Sequence, residues 1–372
     1  MNPAIVEEFL ELVKVGAGSR QEREIFDVVA AKLRAMGFEV EEDGAAEKIG
    51  GNAGNLIAVL KGNAAIPSIL FSAHLDRVDN HRHIQPRIED GLIKSDGTSI
   101  LAADDVSGIC AILDGIRRAR AEGIDHGDLE IVFSVAEEVG LLGARHLDYS
   151  RINSKMAYVI DTGGPLGTVV NQCPTQAIMQ VTVEGRSAHA GMEPEKGLNA
   201  ITVAAQAISR LRQGRLSPQS TSNIGIINGG KATNIVCDLV EIKAEARSTI
   251  DQELNSYLSE FERVFQETAR ELGARAIIQS HLEYLTFKVD EAEEVIRLAG
   301  RAMKNLGLEM RVTAGGGGMD GNHFNQHGIK AVGLSPGYLA VHTPQETQPV
   351  ADLVKCGQLV FEIIRESRNL KV

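Results

Sequence analysis

The spacing of hydrophobic residues predicts two helices and then a series of short strands in the first half of the chain. Apolar residues recur every three or four positions over residues 3–15 and 20–36, a periodicity typical of amphipathic helices. Uninterrupted apolar runs follow, and residues 106–120 form a buried helix between two of them. The runs predict strands at residues 55–60, 68–73, 129–135 and 156–160. Strands that alternate with helices indicate an α/β layer around a parallel or mixed sheet.

A different pattern begins near residue 175. Two amphipathic helices are predicted at residues 197–212 and 251–272, and strands at residues 177–184, 222–228, 236–248 and 275–283. The order β-α-β-β-α-β is that of a ferredoxin-like sandwich. Because residues 290–372 return to helix, strand and helix, we expect an α/β domain built from residues 1–174 and 285–372. A smaller α+β domain, residues 175–284, is then inserted into it.

Composition excludes several classes of protein. The 372 residues are 43% hydrophobic and 24% charged, which is ordinary for globular domains and unlike disordered chains. A formal net charge of −12 argues against nucleic acid or an anionic membrane as a partner. The four cysteines are widely spaced, and the N-terminus has neither the basic nor the apolar region of a signal peptide. We therefore expect a cytoplasmic protein.

Histidine and carboxylate residues follow three of the predicted strands. His74 and Asp76 come after residues 68–73, Glu137 and Glu138 after residues 129–135, and Asp161 after residues 156–160. Functional residues of α/β sheets lie just past the carboxyl ends of the strands. Taken alone, His74 and Asp76 are better explained by a solvated loop, and a solvated turn is a reasonable explanation of Glu137 and Glu138, but together the groups suggest a common site.

Two more groups extend this set. Asp104 and Asp105 lie where a loop meets the helix predicted at residues 106–120, and a helix cap accounts for only one of them. His342 lies in a loop near the C-terminus. Two histidines and several carboxylates suit Zn²⁺, and a mixed nitrogen and oxygen set with one shared carboxylate suits a pair of metal ions.

The ordered motifs resemble those of the co-catalytic dizinc exopeptidases, the family of peptidase T, bacterial glutamate carboxypeptidases, succinyl-diaminopimelate desuccinylase and aminoacylase. The resemblance covers nearly the whole chain, and the sequences around His74 and Asp161 are most similar to the peptidase T-like branch. It implies a mixed-sheet zinc-peptidase catalytic domain with an inserted α+β ferredoxin-like lid, through which two copies would dimerise. The motifs are His74-Leu75-Asp76, Ala103-Asp104-Asp105, Glu137-Glu138, Asp161 and His342-Thr343-Pro344.

The resemblance also implies a ligand set for two divalent metal ions, most simply Zn²⁺, with Co²⁺ or Mn²⁺ as alternatives. Asp104 would bridge the two ions. His74 and Asp161 would complete one site, and Glu138 and His342 the other.

Three residues receive catalytic roles by the same resemblance. Glu137 would be the general base that takes a proton from the water between the metals, and Asp76 would orient His74. His189, in the segment 185–191 of the lid, would stabilise the oxyanion from its own chain or from a partner. Without the family, His189 would be interpreted as a turn histidine. Asp105 is left as a helix-start residue.

Four further residues are expected to bind the substrate. Asn234 and Arg247 match lid positions, although Arg247 would serve equally well in an ordinary ion pair. Gly317 and Gly318 belong to a glycine-rich loop whose backbone would approach a terminal carboxylate. The formal G-x-G-x-x-G in this loop is a weak nucleotide signature because no βαβ unit surrounds it. His81 and His83, in a polar loop, are expected to be solvated.

The expected function is hydrolysis of a peptide bond in short peptides, as in a tripeptide aminopeptidase. Asp161 favours a peptidase, because acylases of the family tend to carry Glu at this position. An N-acyl amino acid deacylase or a carboxypeptidase of the same family remains an alternative. A non-catalytic metal-binding protein is a further alternative, against which the presence of Glu137 argues, and a nucleotide-binding protein that uses the glycine-rich loop is another.

Overall fold

The computed structural model describes residues 3–78 and 84–371, and the chain divides into two compact units. The first unit comprises residues 1–173 and 287–372, and the second comprises residues 174–286. The boundaries expected from the sequence differ from these by one residue at the first junction and two at the second. His81 and His83 lie outside the described residues.

The first unit alternates helices and strands. Before the second unit the elements are α1 (Ala4–Leu12), α2 (Arg23–Ala35), β1 (Glu39–Glu42), α3 (Ala45–Ile49), β2 (Leu56–Leu60), β3 (Ile69–His74), β4 (Arg87–Glu89), β5 (Leu92–Lys94), α4 (Ala103–Ala121), β6 (Leu129–Ser134), α5 (Leu142–His146), β7 (Met156–Val159) and β8 (Thr168–Cys173).

The second unit contains β9 (Thr175–Glu184), α6 (Ala200–Arg210), β10 (Gly214–Ser217), β11 (Ser220–Gly229), β12 (Leu239–Ser248), α7 (Asp251–Glu271) and β13 (Arg275–Tyr284). The chain then returns to the first unit with β14 (Phe287–Lys288), α8 (Glu294–Asn305), β15 (Arg311–Ala314), α9 (Gly321–Gln326), β16 (Lys330–Leu334), β17 (Thr347–Pro349) and α10 (Val350–Ser367).

The large sheet of the first unit is mixed, as the sequence predicts. Within the described residues its strands follow the order β1-β2-β6-β3-β7-β16-β8-β14, and β15 pairs with β8. The central neighbours β6, β3, β7 and β16 are parallel to one another. Every residue of β3 and β6 is buried, which explains why both strands are continuous rather than alternating apolar runs. Parallel central strands bring their carboxyl ends to one edge of the sheet.

Close helix packing fixes α4, the helix that begins at the candidate site. A Cβ atom added at Gly115 of α4 would lie 2.6 Å from the Cβ of Val360 in α10. One added at Gly357 of α10 would lie 2.5 Å from a carboxylate oxygen of Asp114 in α4. Glycine at both positions therefore lets the two backbones approach closely.

The second unit is a ferredoxin-like sheet with its own hydrophobic core. Its strands follow the order β10-β11-β12-β9-β13, and α6 and α7 pack on the sheet. The short edge strand β10 was not predicted. The strand predicted at residues 236–248 begins three residues later, as β12, so residues 230–238 connect it with β11. In the part of the chain that the structure describes, no helix combines the length and apolar character needed to cross a bilayer.

Candidate metal centre

Three parallel strands deliver the candidate ligands to one edge of the sheet. His74 is the last residue of β3, Glu137 and Glu138 follow β6, and Asp161 follows β7 by two residues. Since β6, β3 and β7 are adjacent and parallel, their carboxyl ends lie side by side. The strand order therefore explains why residues nearly 90 positions apart in sequence converge.

The structure brings the five predicted ligands into two groups of three that share Asp104. In the first group, Nε2 of His74 lies 3.0 Å from Oδ1 of Asp104 and 4.0 Å from Oδ1 of Asp161. In the second, Nε2 of His342 lies 3.2 Å from Oδ2 of Asp104 and 3.2 Å from Oε2 of Glu138. The two oxygens of Asp104 thus face different groups, which is the geometry of a bridging carboxylate.

Burial of this much negative charge perturbs the pKa of several groups. Burial, and then the charge of Asp104, raises the pKa of Asp161 to about 8. Hydrogen bonds with Asp104 and Glu138 raise the pKa of His342 to about 10. Burial opposes ionisation of Asp104 as well, but its contacts with His342 and His74 outweigh burial and hold its pKa below the usual range. The cluster therefore favours bound cations.

The donor set fits a pair of divalent ions. Two imidazole nitrogens and three carboxylates are the ligands that Zn²⁺ binds in proteins. Oε1 of Glu138 is buried and has no hydrogen-bond partner, although a buried carboxylate oxygen normally has one. A cation between the groups would satisfy this oxygen and relieve the repulsion among the carboxylates.

The glycine-rich loop lines a cavity beside these residues. The cavity has a volume of 210 Å³, and residues from both ligand groups contribute to its wall. They are joined there by Gly317 and Gly318, and by Tyr338. The loop therefore borders the candidate metal centre, and its role toward substrate stays a prediction.

Two family models each match one part of the chain, and relatives over nearly its whole length identify the family. The model of the peptidase dimerisation domain matches residues 176–272, and that of peptidase family M28 matches residues 55–171. The crystal structure of aminopeptidase PepT from Bacillus cereus is 40% identical, with a TM-score of 0.89 and 98% of each chain covered. A tripeptidase from Staphylococcus aureus is 36% identical, with a TM-score of 0.93 and the same coverage.

The chain belongs to the peptidase T-like metallopeptidases of the M20 family. The YqjE protein of Bacillus subtilis is also similar, 39% identical over 98% of each chain.

In this metallopeptidase the His74 ring is oriented through the backbone of Asp76. Nδ1 of His74 lies 2.8 Å from the carbonyl oxygen of Asp76, whereas the nearer carboxylate oxygen is 3.6 Å away. A carbonyl only accepts, so Nδ1 carries a proton, and Nε2 is the ring nitrogen that faces Asp104, at 3.0 Å from Oδ1. Asp76 is thus placed as predicted, but its carbonyl rather than its carboxylate makes the close contact.

The carboxylate of Asp76 instead holds the backbone that carries the predicted base. Oδ1 of Asp76 accepts from the amide of Glu137 at 2.9 Å, and Oδ2 accepts from the amide of Glu138 at 3.3 Å. The hydroxyl of Ser19 donates to the same carboxylate at 2.6 Å. Asp76 therefore connects the loop after β3 with the loop after β6.

Asp105 caps α4. Asp104 and Asp105 have non-helical dihedral angles, so the regular helix begins after them. Oδ1 of Asp105 accepts from the amide of Gly108 at 3.1 Å, as expected of a helix-start residue. Its other oxygen accepts from the amide of His74 at 3.2 Å, a contact that the sequence does not reveal.

Sequence reasoning missed two buried glutamates that bind loop amides. Glu22 accepts from the amide of Ala136, which has a left-handed φ of 52° and precedes Glu137. Glu346 accepts three amides in the loop that leads to Asp104. Burial raises the pKa of each to about 7. Glu346 lies four residues after His342, but no motif stands near Glu22, and the site amides that the two glutamates bind are more than 100 residues away in sequence.

Two further residues at the site also went unpredicted. The hydroxyl of Tyr338 donates to Oδ1 of Asp161 at 3.0 Å. Asp320, which follows the glycine-rich loop, accepts from the hydroxyl of Ser134 at the end of β6. Burial raises the pKa of Asp320 to about 6. Both contacts join the C-terminal part of the first unit to the strand ends.

The predicted lid residues lie in the second unit. The exposed His189 accepts from the amides of Gly191 and Met192 through Nδ1, both at 3.2 Å. Its neighbour Ala190 donates to the carbonyl of Asn234 at 2.9 Å, so His189 and Asn234 lie on adjoining segments. Arg247 forms an ion pair with Glu245 at 3.1 Å. The roles of these residues toward substrate stay predictions.

We expect metal removal to destabilise the first unit at neutral pH. Bound cations would stabilise the crowded, buried carboxyl groups of Asp104, Glu138 and Asp161, and Zn²⁺ at 1,000 times its Kd would stabilise the fold by about 4 kcal/mol. Thermal unfolding in the presence of a chelator, and again after Zn²⁺ is restored, measures the difference in Tm between the metal-free and the metal-loaded protein. His342→Ala should reduce the shift, and a Tm that is indifferent to the chelator would contradict the expectation.

Proposed function

We propose that this metallopeptidase removes the N-terminal residue of tripeptides with two Zn²⁺ ions at the candidate metal centre. The observation that carries the proposal is the pair of three-residue groups joined by Asp104. A tripeptidase and an aminopeptidase PepT are relatives over nearly the full chain, which supports this substrate class. The proposed ligands are His74, Asp104 and Asp161 for one ion, and Asp104, Glu138 and His342 for the other.

The adjacent residues Glu137 and Glu138 would have different roles, one as the general base and the other as a metal ligand. When bound, the two ions would acidify water and polarise the scissile carbonyl. Glu138 contacts His342 in the second ligand group, while Glu137 belongs to neither group and stays available as a base. Burial, and then the charge of Asp161, raises the pKa of Glu137, which favours uptake of a proton. The hydrogen bond from the Glu137 amide to Asp76 fixes the backbone from which this side chain extends.

The substrate would lie against the glycine-rich loop. Gly317 and Gly318 share the cavity with Asp161 and His342, so a peptide placed there meets backbone groups beside the proposed ions. His189, Asn234 and Arg247 are proposed to complete recognition from the lid. A deacylase of the same fold is the less favoured alternative.

A peptide panel tests the substrate class. Incubated with the Zn²⁺-loaded protein, a tripeptide of three different residues should yield its free N-terminal residue and the remaining dipeptide, identified by mass spectrometry. N-acetylation of the same tripeptide should abolish cleavage, because an aminopeptidase requires the free amine. Release of the C-terminal residue would identify a carboxypeptidase instead, and cleavage of N-acyl amino acids alone would identify a deacylase.

Glu137→Gln should retain both metal ions and lose activity. The amide is isosteric but cannot accept the proton, so kcat should fall by roughly 10²–10⁴-fold, the usual contribution of general base catalysis. Metal analysis and steady-state kinetics on the same preparation separate binding from chemistry. As a control, Glu138→Gln should weaken metal binding itself, and a fully active Glu137→Gln protein would exclude this residue as the base.

We also propose that the second unit mediates a homodimer through the free part of strand β11. In the structure as described, β10 pairs only with residues 220–222 of β11, so residues 223–229 pair with β12 on one side alone. This edge carries Ile226 and Ile227, which are 47% and 51% exposed. An unprotected apolar edge is the surface on which a second copy can add its own strand. The match to a peptidase dimerisation domain supports this interface.

Ile227→Asp should convert the dimer to a monomer. A carboxylate buried without a partner at an interface costs about 3 kcal/mol, so the dimer Kd should rise by roughly 100-fold. Light scattering over a concentration series gives the mass. The control is Leu282→Asp on the opposite edge strand β13, where the side chain is 43% exposed and dimerisation should persist. Loss of the dimer with Leu282→Asp alone would assign the interface to β13.

A cytoplasmic location is proposed for the same enzyme. All four cysteines are buried thiols, which is consistent with a reducing compartment.

A further inference from the structure

Glu346 binds the loop that precedes the bridging aspartate. Its carboxylate is almost completely buried, with 1% of the residue exposed. Oε2 accepts from the amides of Leu101 and Ala102 at 2.8 and 2.7 Å, and Oε1 accepts from the amide of Asp104 at 3.1 Å. One side chain thus satisfies three amides that are buried at the start of α4.

These amides have no regular partner because the backbone turns sharply here. Ala102 adopts a left-handed φ of 63°, and the residues before a helix leave their amides outside the helical hydrogen-bond ladder. A buried amide without an acceptor costs about 1–3 kcal/mol, so the turn depends on the carboxylate. Because Asp104 follows this turn directly, the turn fixes the position of its backbone.

Glu346 also belongs to the loop that carries His342. Leu339 and Thr347 exchange two backbone hydrogen bonds, at 2.9 and 3.0 Å, and so close the loop between them. His342 lies within this loop, with a left-handed φ of 62°. Glu346 is the last residue before the closing pair, so its carboxylate joins the His342 loop to the Asp104 turn.

A second hydrogen bond strengthens the same junction. The hydroxyl of Ser107, in the first turn of α4, donates to Oε1 of Gln348 at 2.8 Å. Gln348 is two residues beyond Glu346 and is fully buried. The two side chains therefore anchor one short strand, β17, to the start of α4.

We propose that Glu346 is a positioning residue that sets the separation of His342 from Asp104, and with it the affinity of the ion that these residues share with Glu138. The inference rests on the proposed pair of metal ions. The other ion depends less on this anchor, because His74 and Asp161 are held by strands β3 and β7. Loss of a partner that orients metal ligands typically weakens binding by roughly 10–100-fold.

The test compares Glu346→Gln with a matched control, Glu130→Gln. The amide in place of Glu346 keeps the shape but presents a donor to one of the backbone amides. Glu130 has the same chemistry elsewhere, since it is buried in β6 and accepts from the amides of Asn153 and Ser154. Both variants replace one buried carboxyl group that accepts backbone amides. Zn²⁺ titration of the metal-free proteins against a competing chelator gives two stepwise affinities without any measurement of activity.

The expected result for Glu346→Gln is a fall of roughly 10–100-fold in one of the two affinities and a smaller fall in the other, because both ions would share Asp104. Both affinities should be unchanged for Glu130→Gln. The weakened step should be the one that His342→Ala abolishes. Two unchanged affinities in Glu346→Gln would overturn the proposal, and so would equal losses in the two glutamine variants. Wild-type protein that binds fewer than two ions would instead refute the proposed metal pair.

A second variant covers a failure of Glu346→Gln to fold, which the Tm of the metal-free protein reveals. Ser107→Ala removes only the neighbouring hydrogen bond to Gln348 and leaves Glu346 in place. It should weaken the same binding step by a smaller factor, and unchanged binding would then count against the anchor.

Discussion

The candidate site depends on the contacts that the carboxylate of Asp104 makes with two histidines. Its two oxygens face His74 and His342 separately, so both ligand groups exist only while this side chain keeps one position. The site concentrates acidic groups in a buried place, where their repulsion is strong and only cations balance it. Part of the chain's net charge of −12 is thus a requirement of the site rather than a property of the surface.

Three buried carboxylates hold the backbone around the candidate metal centre, and all three do so by accepting hydrogen bonds from loop amides. Asp76, Glu22 and Glu346 are buried carboxylates that are not proposed as ligands, and each accepts amides of a loop that carries ligands or the base. Two of these loops contain a left-handed alanine, Ala102 or Ala136. Because charged acceptors bind amides strongly, such carboxylates hold turns that ordinary backbone pairing would leave open.

The fold of each unit was largely predictable, because periodicity reports which side chains are buried. The continuous apolar runs that became β3 and β6 identified central strands, and the sequence order of the second unit specified a ferredoxin-like sheet. The short edge strand β10 was not predicted, because its four residues are all at least partly exposed and show no alternation of apolar and polar side chains. Four of the five predicted ligands lie at the end of a strand or at the start of a helix, whereas His342 lies in a loop, and the resemblance to a known family supplied the complete set.

The sequence by itself determined the composition of the candidate site, since the proposed ligands His74, Asp104, Glu138, Asp161 and His342 stand in recognisable motifs. Tertiary structure alone decided how that site is held. Glu22 and Glu346 act on amides more than 100 residues away, and backbone amides carry no residue-specific signal. Tertiary structure also showed that the carbonyl of Asp76, rather than its carboxylate, orients His74. A motif records which side chains are present, whereas a hydrogen bond to a distant backbone exists only once the chain has folded.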